Sequence, residues 1–284
     1  MKTTMLFTIL GLVGMSNQAM SADPTTTSHF KKVITVVLEN TDYTDAMKTA
    51  YMGGVLSKQC AGFSNFHGEG HPSQGNYIAM TSGSTQGVSD DGSVDLKVQH
   101  IGNLLEAKGL DWKSYAEDYP GKCFKNDKSG YVRKHSPFIS YTNVQSSPAE
   151  CAKIVPSTQF DVDAKAGTLP AYSFYSPNLD DDGHDTDVNF ADAWVKKTFS
   201  AYLADPAFMA DTLFVITFDE DSGSDANTIY TLMCSPSIVP GTLITSSYNH
   251  YNLLRTVEDE FGLGTFGLED AKVTSITGIW KTSP

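Results

Sequence analysis

Positive charge is scarce in this chain. Its 284 residues carry 20 lysines and arginines against 33 aspartates and glutamates, a formal net charge of −13 with histidine neutral. Binding to a phosphate backbone or to an anionic bilayer needs basic surface, so neither nucleic acid nor stable membrane insertion is expected. Cysteine is scarce as well: Cys60, Cys123, Cys151 and Cys234 are too scattered for a zinc cluster. There is no internal repeat, no low-complexity tract and no interior linker, and beyond the amino-terminal segment no long apolar run. What remains is length enough for a substantial core.

The first 22 residues differ from the rest. Lys2, the apolar stretch Met5 to Met15 and the small residues Ala19, Ser21 and Ala22 predict a secretory signal peptide cleaved near Ser21 or Ala22. Residues 23–284 are then one exported domain, secreted or periplasmic. That compartment favours disulfides, and four cysteines allow three pairings. Cys123 and Cys151 bracket one polar, loop-like stretch and are expected to pair, leaving Cys60 for Cys234.

The chain is organised around His71-Pro72-Ser73-Gln74-Gly75-Asn76-Tyr77, followed by Ile78-Ala79-Met80 and the small run Thr81 to Ser84. This predicts a buried helix whose first turn carries Ser73 among unpaired backbone N–H groups, where an anion is stabilised. A serine there is commonly only an N-cap. It becomes a candidate nucleophile when a base or a metal activates it.

Two β-branched apolar runs supply such a setting. Val33 to Leu38 ends in Glu39-Asn40, and Leu213 to Phe218 ends in Asp219-Glu220. Both read as strands buried on two faces, and open α/β sheets bind ligands at the carboxyl ends of such strands. Carboxylates brought close repel one another, and a metal cation between them is the simplest remedy. Leu110 to Tyr115 and Ala171 to Tyr175 read as further strands. Helical spacing appears from Ile101 to a stop at Gly109, from Asn189 to Leu203, and through Leu253, Leu254, Val257 and Phe261 to Gly262. Helices alternating with strands define an α/β chain.

The remaining polar segments hold histidines. Arg133-Lys134-His135 lies in the irregular stretch Pro120 to Pro156, His184 closes the acidic loop that starts at Asp180, and His250 stands at the start of the last helix. Counted from Asn178, the segment with Asp180, Asp182 and Gly183 resembles the opening of an EF-hand, but its first position is Asn and its twelfth is Asn189, where a bidentate glutamate belongs.

Taken in order, these segments resemble a phosphoesterase family that contains acid phosphatases, phospholipases C and some secreted phosphoinositide phosphatases, within the alkaline-phosphatase-like superfold. The resemblance rests on Leu38-Glu39-Asn40, His71-Pro72-Ser73 with Asn76-Tyr77, Ser82 to Gly87, Arg133-Lys134-His135, Asp182-Gly183-His184-Asp185, Thr217-Phe218-Asp219-Glu220 and His250-Tyr251. It implies a three-layer αβα sandwich with a mostly parallel sheet, a nucleophile at Ser73, and metal ligands at Glu39, Asn40, Asp219 and Glu220. His184 and His250 correspond to phosphate contacts or proton donors, and Asn40, His71, Lys134, His135 and Asp185 face the substrate. One divalent ion is expected. Oxygen ligands favour Ca²⁺, Mg²⁺ or Mn²⁺ over Zn²⁺.

The expected activity is that of a metal-dependent acid phosphatase acting on small-molecule or lipid phosphomonoesters through a phosphoserine, with phosphoinositides among the candidates. Histidines that meet phosphate in their charged form place the optimum on the acid side. A phospholipase C-type phosphodiesterase is the alternative within the same chemistry. A secreted binding protein is the alternative outside it, and such a protein has no need of Ser73 opposite an acidic cluster. No protein partner is evident.

Overall fold

The computed structural model describes residues 28–224 and 226–282, so the expected signal peptide lies outside the described residues. Among the described residues one nine-stranded sheet carries the fold: β1 (Lys32–Leu38), β2 (Ala61–His67), β3 (Trp112–Ala116), β4 (Ile154–Pro156), β5 (Tyr172–Ser176), β6 (Thr212–Phe218), β7 (Thr228–Cys234), β8 (Leu243–Ile244) and β9 (Tyr248–Asn249). Their order is β4-β3-β5-β1-β6-β7-β2-β8, with β9 also paired to β2. β7 runs antiparallel to both of its neighbours, and the other pairings are parallel. The two apolar runs become the central strands β1 and β6, buried nearly throughout, as strands covered on both faces should be.

The longer helices are α1 (Gln74–Ser82), α2 (Ile101–Ala107), α3 (Thr158–Ala166), α4 (Val188–Leu203) and α5 (His250–Phe261). Alternation along β5 shows how they cover the sheet, because successive strand side chains point to opposite faces. Phe174 meets Tyr77 of α1 edge to face, whereas Tyr175 meets Phe160 of α3 and Phe199 of α4. Helices α1 and α5 pack together. The result is the expected α/β sandwich around a mostly parallel sheet.

Local chemistry fixes the helix ends nearest the site. Asn249 caps α5 through the N–H groups of Tyr251 and Asn252, with Asn252 bonding back to it. Helix α1 stops at Gly83, whose φ of 74° suits glycine and whose absent Cβ leaves room for Asp270, which a Cβ would approach to 2.7 Å. Both expected disulfides are formed. Cys60–Cys234 ties the start of β2 to the end of β7, and Cys123–Cys151 closes the irregular stretch.

Candidate active site

The register of β1 against β6 brings the two acidic strand ends together. Leu38 pairs with Phe218, so Glu39-Asn40 and Asp219-Glu220 leave the sheet side by side, and Asp219 N–H donates to the Leu38 carbonyl at 3.0 Å. Glu39 and Asp219 are fully buried and Glu220 nearly so. Asn40 adopts a φ of 49°, which turns its backbone N–H towards Asp219 Oδ1 at 3.3 Å.

Helix α1 points its first turn at these carboxylates. Ser73 stands at the N-cap position, yet its hydroxyl makes no capping bond. Instead Ser73 Oγ donates to Glu39 Oε2 at 3.0 Å and lies 3.4 Å from Glu220 Oε1. Asn76 Nδ2 donates to Glu220 Oε2 at 3.2 Å, and the Tyr77 hydroxyl donates to Glu39 Oε1. One atom of the Asn40 side-chain amide is 3.3 Å from both Glu39 Oε2 and Glu220 Oε1. With nitrogen in that place it donates to both carboxylates. With oxygen there, it joins them and Ser73 Oγ in an all-oxygen cage suited to a hard cation.

A second grouping meets the other side of Glu39. His135 stacks on Tyr77 with ring centroids 5.0 Å apart. Its Nε2 is 3.3 Å from Glu39 Oε1 and its Nδ1 is 3.3 Å from Asp182 Oδ2. Ser176, at the end of β5, holds the His135 carbonyl at 2.6 Å, and Glu39 N–H donates to the Asp182 carbonyl at 3.0 Å. Glu39, His135 and Asp182 form a buried group that could hold a metal ion.

The electrostatics of both groupings favour a positive charge. Burial, and then the charges of Asp219 and Asp182, drive Glu39 far above the ordinary carboxylate range. Burial and then Glu220 do the same to Asp219. Glu220 is raised to about 7 by burial and then Asp91, and Asp182 to about 7 by burial. His135 is held neutral, chiefly by burial. Both ring nitrogens of His135, Asp182 Oδ2 and Asp219 Oδ2 are buried without a hydrogen-bond partner, a costly arrangement unless a cation binds them. The donor set therefore fits a divalent ion.

The other expected site residues are placed unevenly. His71 lies at the rim, Nδ1 3.0 Å from Glu220 Oε2 and Nε2 3.5 Å from Asp221 Oδ1. His184 is partly exposed, its ring 6.1 Å from that of His135 and its Nδ1 2.7 Å from Asp185 Oδ1. Lys134 Nζ pairs with Asp91 Oδ2 at 2.7 Å. His250 is not among the groups around Ser73 Oγ: it is fully buried, with Nε2 2.8 Å from the Asp219 carbonyl, and burial lowers it to about 4. The ring is sealed behind the strand end, against the Asp219 carbonyl. Sequence reasoning did not assign Asp182, Asn76 or Tyr77 a role. The motifs contained all three, but only the fold shows where their side chains point.

Solved structures place this architecture in a class. A protein in the alkaline phosphatase superfamily from Vibrio parahaemolyticus matches with a TM-score of 0.59 at 12% identity, covering 91% of this chain and 76% of that one. A phosphonate monoester hydrolase from Silicibacter pomeroyi matches with a TM-score of 0.56 at 11% identity, covering 82% and 73%. At such identities the likeness defines the fold alone, an alkaline-phosphatase-like α/β sandwich. By its sequence the chain belongs to the phosphoesterase family, whose pattern matches residues 46–264.

Among its relatives, a probable acid phosphatase of Kluyveromyces lactis is 33% identical over 88% of this chain and 65% of its own length. An acid phosphatase of Aspergillus fumigatus is 33% identical over 85% and 57%. The chain thus spans about three fifths of the length of these fungal relatives. A phosphatidylinositol-3-phosphatase of Mycobacterium tuberculosis is 32% identical over 98% of this chain and 90% of its own length.

Proposed function

We propose that this protein is a secreted, metal-dependent acid phosphatase that hydrolyses phosphomonoesters through a phosphoserine at Ser73. The observation that carries the proposal is the Ser73 hydroxyl, which leaves the helix uncapped and faces Glu39 and Glu220. Glu39, Asn40, Asp219 and Glu220 are assigned to the ion beside Ser73, and Glu39, His135 and Asp182 to a neighbouring seat that shares Glu39. A divalent ion there supplies Lewis-acid stabilisation of the phosphoryl oxygens and favours the ionised serine. The imidazole of His135 widens the choice of ion towards Mn²⁺ and Zn²⁺.

The chain's own groups do the rest. Glu39, which accepts from Ser73 Oγ at 3.0 Å, orients that oxygen for in-line attack on phosphorus. The Gln74 N–H, next to the nucleophile at the start of α1, faces an equatorial oxygen. His184 donates a proton to the departing alcohol from the open side, its Nδ1 fixed by Asp185. Water then cleaves the phosphoserine. Secretion is supported by the amino-terminal sequence and by two disulfides, which suit an oxidising compartment. Among the described residues no helix is long and apolar enough to cross a membrane. The name of the mycobacterial relative makes phosphoinositides a substrate class to test.

The test is hydrolysis of nitrophenyl phosphate against its bis-ester and against phosphatidylcholine, across pH and with and without chelation. Faster release from the monoester, strongest on the acid side and lost on chelation, is the expected result. Faster release from either diester moves the assignment to a phospholipase C-type enzyme. No hydrolysis of any ester leaves the secreted binding protein.

A further inference from the structure

Asp91, on the loop between α1 and α2, holds an unusual position next to the nucleophile. Its Oδ1 accepts from Gln74 N–H at 3.0 Å, the first backbone donor after Ser73, and its Oδ2 takes Lys134 Nζ at 2.7 Å. A helix-start N–H together with an ammonium group is a seat for a phosphoryl oxygen. In this structure a carboxylate of the chain itself occupies both donors. The loop behind it is fastened from a buried residue: the Gln74 side-chain amide, with its nitrogen turned to the loop, donates to Asp90 O at 3.1 Å and Gly92 O at 2.6 Å. The backbone on either side of residue 91 is therefore held, while the Asp91 side chain is partly exposed. The pair also lies within electrostatic reach of the cluster, because the charges of Glu39 and Asp219 act on Lys134 as Asp91 does.

We propose that Asp91 is an internal stand-in for the substrate's phosphate, filling the seat made by Gln74 N–H and Lys134 until a phosphomonoester or inorganic phosphate displaces it. The inference rests on Ser73 being the nucleophile of a phosphate site. Its consequence is that the seat stays satisfied when empty of substrate, and every phosphoryl ligand binds against a resident anion. Asp91 thereby weakens the hold on product phosphate as well as on substrate.

The experiment is calorimetric titration of the purified, metal-loaded protein with inorganic phosphate, alongside nitrophenyl phosphate hydrolysis. Asp91→Asn keeps an acceptor for Gln74 N–H and removes the charge; Asp91→Ala removes both; Asp90→Asn makes the same change in net charge one residue away. Thermal melting checks that each variant is folded. Taking one unit charge out of the seat should tighten phosphate binding by about tenfold or more in both Asp91 variants, with Asp90→Asn close to the unaltered protein. Equal or weaker binding in the folded Asp91 variants overturns the stand-in, and so does an equal gain in Asp90→Asn. An unaltered protein that neither binds phosphate nor hydrolyses the ester overturns the phosphatase reading, and the stand-in with it.

Discussion

The two oxygens of the Glu39 carboxylate look onto regions built in different ways. Towards Ser73, Oε2 meets groups delivered by the ends of two central strands and the first turn of a helix, all elements with strong local signals. Towards His135, Oε1 meets the Tyr77 hydroxyl of α1 and a histidine from a short helical turn, which in turn meets Asp182 of an acidic loop and is positioned by tertiary contacts such as Ser176 to the His135 carbonyl. Both regions end in buried, unpartnered polar atoms. The difference shows that regular structure brings Ser73 to the carboxylates, and that irregular segments complete the polar cluster around them.

If the Ser73 side carries the chemistry, removing its hydroxyl has the largest effect. Ser73→Ala should lower turnover by about three orders of magnitude or more, as loss of a covalent nucleophile does. Its melting temperature should change little, because the hydroxyl makes no cap. Turnover and melting measured on one preparation check this, and near-normal turnover defeats the assignment.

Smaller effects separate the two sides. Glu39→Gln alters the carboxylate they share and should deplete bound metal and activity most severely. Asp219→Asn should follow closely. Asp182→Asn should cost less, on the order of ten- to a hundredfold, as groups that support a metal site do. Elemental analysis with kinetics ranks the three; an Asp182→Asn protein as empty and inactive as Glu39→Gln would erase the distinction between the sides.

The smallest effect concerns a buried acid outside the site. Glu258 of α5 is fully buried, and burial followed by the charge of Asp270 raises it to about 8 from an ordinary 4.5. The folded state therefore holds this proton to higher pH than the unfolded chain does. The stability it contributes is fully present below about 4.5 and is lost as pH rises through about 8. Glu69 and Glu117, each raised to about 8 chiefly by burial, act with the same sign. Melting temperature should fall from mildly acid to alkaline pH, and Glu258→Gln should flatten part of that slope, at most about 1.4 kcal/mol per pH unit for one group. An unchanged slope would remove Glu258 from the account.

These regions were not equally legible in the sequence. The runs ending at Leu38 and Phe218 announced β1 and β6 because a strand buried on both faces needs a continuous apolar sequence. Their carboxylates could be named at once. The pairing of those two strands, which makes Glu39 and Asp219 neighbours, is a tertiary fact with no local signature. Strand β2, Ala61–His67, is interrupted by glycine, serine and asparagine and is held as a strand by its neighbours. His135 was visible only as part of a basic trio and Asp182 only as part of an acidic loop. Their convergence on Glu39 depends on the path of irregular chain. His250 illustrates the reverse case: its place at a helix start was readable, but its burial behind Asp219 was not.

The most direct test is to stop the reaction in acid during turnover of nitrophenyl phosphate and to map phosphorylation by peptide mass spectrometry. The account predicts one phosphoryl group on the peptide that contains Ser73, absent from Ser73→Ala and absent from protein left to exhaust its substrate before the acid is added. An unmodified Ser73 peptide under saturating turnover, with a parallel alkaline quench finding the phosphoryl group on a histidine instead, would contradict it.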